Sequence, residues 1–176
     1  MKKLPFVILL FLSVSTAARQ QIVDFKVLER FLPQNDFASF IRGTVDGETS
    51  TMMGFTTSWA QVSYSSEPDS NKGTVSVKIT DMLNIPSYMS IPPSSMKTSR
   101  PAVSSYKKTT SYDSLTVLET YDSTTHQGKL QITLATRFLI EITGEGIGGP
   151  EILYSFLGRT DIDSLKKAAL AGTGAR

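Results

Sequence analysis

The chain has 176 residues, of which 40% are hydrophobic and 19% are charged, with a formal net charge of +2, a single histidine and no cysteine. This length suits one domain, and the composition is that of a folding protein, not of a disordered tail or a multi-span membrane protein. The absence of cysteine excludes disulfides, thiolate zinc sites, iron–sulfur clusters and a cysteine nucleophile.

Residues 1–18 have the pattern of a secretory signal peptide. Lys2 and Lys3 precede an apolar run over residues 5–14, and small residues follow at 15–18. The run is shorter than the roughly 20 residues that span a bilayer, so it predicts a cleaved signal and not an anchor. We expect cleavage after Ala17 or Ala18, a periplasmic or secreted protein, and no membrane span after cleavage.

Cleavage would also change the charge. Without Lys2 and Lys3 the formal net charge is zero, and the remaining adjacent basic pairs are at 107–108 and 166–167. Nucleic-acid binding depends on clustered Lys and Arg side chains that neutralise phosphates. We therefore expect no nucleic-acid partner.

The mature chain begins with helical character. Apolar residues of 20–32 fall on one helical stripe, and Pro33 ends it, which predicts an amphipathic N-terminal helix. Residues 37–51 are mixed in character and predict a short strand around 40–41.

Strand patterns dominate the middle of the chain. Residues 55–64 and 74–80 are separated by a turn-rich segment at 67–73, which predicts a β-hairpin. Prolines interrupt the apolar stretch at 82–93, which predicts a loop followed by a Ser-rich stretch. Four further short segments predict a meander of antiparallel strands: 106–112, 115–121, 129–134 and 138–143.

The C-terminal part predicts helices at 151–157 and 164–170, with Asp163 as an N-cap, and a disordered tail at 171–176. Together these elements predict a single α+β domain over residues 19–170. Its fold would be an antiparallel sheet of about six strands, with N- and C-terminal helices packed on it.

Two sequence features resemble functional motifs but have a better structural interpretation. Residues 144–149 match the glycine pattern of dinucleotide-binding turns, but no parallel strand can follow in the short C-terminal remainder, so a strand-to-helix turn is the better interpretation. His126 is the single histidine and lies in a turn-like segment, so a site around it would have carboxylates as its other members, and a solvated loop histidine is the better interpretation. The sequence therefore predicts no catalytic residue, no metal site and no cofactor.

Aromatic and apolar residues near the predicted hairpin and the Pro-interrupted loop are the best candidates for a partner or ligand surface. The candidate surface comprises Trp59, Tyr64, Ile85, Tyr88, Met89 and Ile91.

Several motifs resemble those of a family of small uncharacterised exported bacterial proteins. They are Leu-Pro at 32–33, VKITD at 77–81, YKKTT at 106–110, RFLIEITGEG at 137–146 and DSLKK at 163–167. The predicted order of elements is also similar to that of PsbP-like α/β sandwiches. The resemblance implies an extracytoplasmic accessory or binding module and carries no catalytic residue across.

Three functional hypotheses follow. The first is a non-catalytic binding or accessory module of the bacterial envelope, which would bind another envelope protein or a small apolar ligand. The second is a small hydrolase that uses Asp and Glu residues brought together by folding. The third is an envelope structural or stress protein.

Overall fold

The computed structural model describes residues 21–52, 54–67, 72–83 and 104–171. Their strands are β1 (Phe40–Met52), β2 (Phe55–Ser66), β3 (Thr74–Asp81), β4 (Ser105–Tyr112), β5 (Leu115–Asp122), β6 (Gln127–Leu134) and β7 (Phe138–Glu145). These strands form one seven-stranded sheet in the order β1-β2-β3-β7-β6-β5-β4. Every neighbouring pair is antiparallel.

The sheet has two unlike faces because successive side chains of a strand point to opposite sides. In β3, Val75, Val77 and Ile79 are buried, whereas the residues between them are partly exposed. The same alternation in β2, β6 and β7 places the apolar residues on one face, which we call the covered face. We call the opposite, polar side the open face.

Among the described residues, three short helices pack against the covered face. They are α1 (Phe25–Leu28), which continues into a 3-10 turn at Glu29–Phe31, α2 (Glu151–Leu157) and α3 (Ile162–Ala171). Buried side chains from all of these helices join the core cluster on the covered face, including Leu28, Leu153, Phe156 and Leu165. Phe156 lies at the centre of an aromatic group, with ring centroids 5.5 Å from Phe37, 5.5 Å from Phe40 and 4.8 Å from Tyr64.

The predicted fold class is wrong. We expected an α+β sheet of about six strands with N- and C-terminal helices packed on it. The structure is mainly an antiparallel sheet of seven strands, and its helices are small. The short strand predicted around residues 40–41 extends over 13 residues as β1, an edge strand whose sequence lacks clean alternation because most of its residues are at least partly exposed.

The predicted N-terminal helix is shorter than its apolar stripe suggested. The backbone N–H of Val23 donates to the carboxylate of Asp81, and the backbone carbonyl of Gln21 accepts from Arg137, so this segment is held outside a helix. The Asp24 side chain then caps the helix by accepting from the N–H of Lys26, and α1 begins at Phe25. Tertiary hydrogen bonds have replaced helical ones here.

Other predicted elements are confirmed. β2 and β3 form the expected hairpin, and β4 to β7 form the expected meander. β7 then pairs with β3, which joins the two groups into one sheet. The N-cap of α3 is Asp161, whose side chain accepts from the N–H of Ser164, in place of the predicted Asp163.

Several predictions lie outside the described residues: the signal peptide at 1–18, most of the Pro-interrupted loop, and positions 172–176 of the predicted tail. Among the helices that the structure does describe, none combines the length and the apolar character needed to cross a bilayer.

Candidate functional site

The open face presents a broad polar surface at the centre of the sheet. Strand register places Gln61, Lys78, Glu141 and Gln131 side by side across β2, β3, β7 and β6. Trp59 lies one row away, between Glu48 of β1 and Thr80 of β3 in register. The buried side chains of the helices lie on the opposite face, so among described residues this row has no helix over it.

Trp59 is half-buried and interacts with a charged neighbour. The ammonium nitrogen of Lys78 lies 4.4 Å from the centroid of the Trp59 ring. A cation over an indole ring is attracted by the negative face of the π system, which orients both side chains. Trp59 is therefore held in place and still retains exposed surface.

Glu141 joins β7 to β6 on this face. Its carboxylate accepts from Lys129 at 2.5 Å and from Gln131 at 3.0 Å. Burial by itself raises the pKa of Glu141, but hydrogen bonds from Lys129 and Gln131 and the positive charges of Lys129 and Lys78 outweigh burial and lower that pKa. Glu141 is thus an ionised cross-strand anchor in the middle of the open face.

The structure divides the predicted candidate surface. Trp59 lies on the open face, whereas Tyr64 is fully buried on the covered face, where its hydroxyl donates to the carbonyl of Pro33 at 2.7 Å. These two residues therefore do not share a surface. The other predicted members, Ile85, Tyr88, Met89 and Ile91, lie outside the described residues.

A second polar cluster, missed at the sequence level, lies on the covered face near the β4 edge. The Glu119 side chain is only 2% exposed and is contacted by three donors. The hydroxyl of Tyr106 donates to one carboxylate oxygen, which also pairs with Lys108 at 3.2 Å. The hydroxyl of Tyr154, on α2, donates to the other oxygen at 2.5 Å.

These contacts stabilise the ionised form of Glu119 and the neutral forms of the two tyrosines. Burial raises the pKa of Glu119, but the hydrogen bonds from Tyr106, Tyr154 and Lys108 outweigh burial and leave its pKa lowered. Burial and the neighbouring carboxylate raise the pKa of both tyrosines, so the phenols stay neutral. Glu119 is ionised and both of its oxygens accept hydrogen bonds, while the two phenols are neutral. Neither Glu119 nor the phenols would exchange a proton near neutral pH, so the cluster serves to hold β4, β5 and α2 together.

A sequence signal for this cluster was available. Glu119 lies between Val117 and Tyr121 in the buried phase of β5, and Asp81 follows Ile79 in the buried phase of β3. A carboxylate in a row of apolar residues must be paired or hydrogen-bonded. The identity of its partners, however, depends on which strand and helix lie beside it.

Two clefts lined by described residues border the covered face. One, of about 240 Å³, is lined by Tyr112 and by three exposed acids, Asp113, Asp161 and Asp163. Asp161 caps α3, and Asp163 lies 3.7 Å from Lys166. The other, of about 290 Å³, is more apolar and is lined by Phe40, Lys72, residues 147–149, Glu151 and Ile152. Both lie at or below the lower end of the usual volume range for the pocket of a drug-sized ligand, roughly 300–1,000 Å³.

These acids do not form a metal site. Within the described ranges, no group of three or more His, Asp or Glu side chains has the spacing to hold a metal ion. The glycine-rich residues 144–149 begin within β7 and continue past its end. β7 has antiparallel neighbours on both sides, which is not the parallel setting of a dinucleotide-binding turn.

Comparisons with known proteins give no match: no family model, curated protein or solved structure is similar to this chain. The family resemblances drawn from its motifs therefore remain predictions.

Proposed function

We propose that this chain is an exported, non-catalytic binding module of the bacterial envelope that docks another protein on its open face. The observation that carries the proposal is the position of Trp59. It is a partly exposed tryptophan, fixed by Lys78, within a polar surface that spans the central strands.

The chemistry of the open face supports a protein partner over a small apolar ligand. Lys78 and Glu48 place both signs of charge beside the Trp59 ring, and Glu141 and Lys129 continue the charged surface across β7 and β6. Protein interfaces commonly combine a central aromatic anchor with surrounding polar contacts, whereas small apolar ligands require an enclosing pocket. The clefts near the covered face are small, and the more polar one carries three acids.

The buried acids support a non-catalytic function. Glu119 is saturated by three donors, and Asp81 is paired with Arg137. The acids around the smaller cleft are exposed to water, and two of them have structural contacts, since Asp161 caps α3 and Asp163 pairs with Lys166. For this reason we favour binding over the carboxylate hydrolase.

The location rests on residues 1–18. The two lysines, the apolar run and the small residues that follow are the features of an exported precursor. The proposal predicts that intact mass measurement of the protein from its native host will find a chain that begins at Ala18 or Arg19.

The docking surface can be tested in that host with a photo-crosslinking amino acid at Gln61, beside Trp59 on the open face. The control position is Lys167, which is exposed on α3. We expect one adduct of defined mass from position 61 and none from position 167. Trp59→Ala should reduce the adduct at least about tenfold, because central aromatic residues contribute most of an interface's binding energy.

Val27→Ala, which changes an exposed apolar residue on α1, should leave the adduct unchanged. Urea unfolding of both variants shows whether each still folds. Equal adducts from positions 61 and 167, or an adduct that is insensitive to Trp59→Ala in a folded protein, would contradict docking on the open face. Specific substrate turnover by the pure protein would contradict the non-catalytic function.

A further inference from the structure

The two edge strands of the sheet differ in how well they are protected. β1 is interrupted by a register shift between Arg42 and Val45, and bulges and charges are common protection against edge pairing. β4 pairs with β5 along all eight of its residues without any shift. No strand among the described residues covers its outer edge.

We propose that β4 pairs with β4 of a second copy across a two-fold axis at Thr109, which gives a dimer with one continuous sheet. This proposal does not depend on the docking function of the open face. It rests on the symmetry of the β4 sequence, on its charges and on the direction of the strands.

The two tyrosines of β4, Tyr106 and Tyr112, lie three positions before and three positions after Thr109. In an antiparallel pair centred there, Tyr106 lies opposite Tyr112 of the second copy, and both side chains are on the covered face. Both tyrosines are more than a third exposed in the single chain, so pairing would remove exposed aromatic surface from water. Thr109 lies opposite its own copy on the open face.

This register also avoids direct repulsion. Lys107 lies opposite Ser111, and Lys108 lies opposite Thr110, so no two lysines face each other. Lys108 is in addition paired with the carboxylate of Glu119 in its own chain. The edge therefore keeps its lysines without placing like charges in the same cross-strand pair.

Strand direction favours this dimer over an open chain of copies. With seven alternating strands, β1 and β4 run in the same direction. Joining β4 of one copy to β1 of the next, with the same face up, would therefore form a parallel pair, which is slightly less stable per residue than an antiparallel one. A two-fold axis perpendicular to the sheet gives an antiparallel pair and keeps both open faces on one side.

A single-cysteine test is possible because the natural chain contains no cysteine. In the proposed register, opposite α-carbons at Thr109 lie about 4.5 to 5.5 Å apart, which is within the range of a disulfide. Thr109→Cys should form a covalent dimer in an oxidised glutathione buffer. Ser111→Cys is the matched control, since it is exposed on the same face of the same strand but lies opposite Lys107 and not opposite itself.

The unmodified chain should be purified from its host in its processed form. In a sedimentation experiment over a roughly hundredfold concentration range, we expect twice the chain mass at the highest concentrations. Thr109→Lys would place two lysines at the axis and should weaken the dimer at least about tenfold. Thr133→Lys, on an exposed position of interior strand β6, should not. A monomer throughout that range, or equal crosslinking of Thr109→Cys and Ser111→Cys, would overturn the proposal.

Discussion

Arg137 and Asp81 form a buried ion pair that also holds the start of the described chain. A guanidinium nitrogen of Arg137 lies 2.8 Å from a carboxylate oxygen of Asp81, and the side chains are 7% and 0% exposed. The same Arg137 nitrogen donates to the carbonyl of Gln21 at 2.6 Å, and Asp81 accepts from the N–H of Val23 at 2.8 Å. The pair therefore ties the N-terminal segment to β3 and β7.

Asp81→Asn should lower the free energy of unfolding by about 3 kcal/mol, because removing one charge of a buried pair leaves the other uncompensated. Asp163→Asn is the control, since Asp163 is exposed and lies 3.7 Å from Lys166. This substitution should change the free energy of unfolding by no more than about 0.5 kcal/mol. Urea unfolding at neutral pH measures both. Equal effects would mean that the buried pair does not hold the N-terminal segment.

Glu119→Gln should cost about 2 kcal/mol at neutral pH, since the hydrogen bonds from the two tyrosines and Lys108 would lose their charged acceptor. The pKa of Glu119 in the folded protein lies below its usual 4.5. Its carboxylate therefore stabilises the fold above that pH, and the contribution disappears as the pH falls through the folded pKa.

The difference in stability between the natural chain and Glu119→Gln should accordingly shrink as the pH is lowered from 7 to below 4.5. Glu145→Gln, at an exposed position, serves as the control. Denaturant unfolding at a series of pH values gives the comparison. A difference that does not depend on pH would show that the charge of Glu119 is not what stabilises the cluster.

Tyr64→Phe should destabilise the fold by about 1 kcal/mol, because the buried carbonyl of Pro33 would lose the hydroxyl that donates to it at 2.7 Å and would keep the donor from Arg42 at 3.0 Å. Tyr112→Phe, at a tyrosine that is 36% exposed, should change stability by less than about 0.5 kcal/mol. Thermal unfolding of the two variants separates them. If Tyr64→Phe is neutral, the hydroxyl is not part of the core as the structure places it.

Gly73→Ala should be strongly destabilising. Gly73 has φ +79°, and an added Cβ would lie 2.0 Å from the carbonyl oxygen of Glu145 on the neighbouring strand. Gly54→Ala is the control, because Gly54 has φ +83° but no atom lies within 4 Å of an added Cβ. This variant should lose about 1 kcal/mol of stability, from the backbone strain of a positive φ alone. Gly73→Ala should exceed it by more than about 2 kcal/mol in urea unfolding. Equal costs would argue against the close approach of β3 and β7 at this point.

The strands of the hairpin and the meander could be predicted from the order of residues alone, because alternation along a strand is a local pattern that does not depend on its neighbours. Trp59 and Tyr64 are five positions apart within one predicted strand, and this odd spacing places them on opposite faces because the side-chain period of a strand is two. The same period marks Glu119 and Asp81 as buried acids.

The tertiary structure decided the features that depend on contacts between distant segments. The partners of Glu119 come from β4 and α2, and the N-terminal helix is shortened because Asp81 and Arg137 hydrogen-bond the backbone before it. β1 is a strand because β2 supplies its hydrogen-bond partners, although its own residues alternate poorly. A long-range partner can override a weak local preference, since each buried hydrogen bond left unmade costs about 1 to 3 kcal/mol.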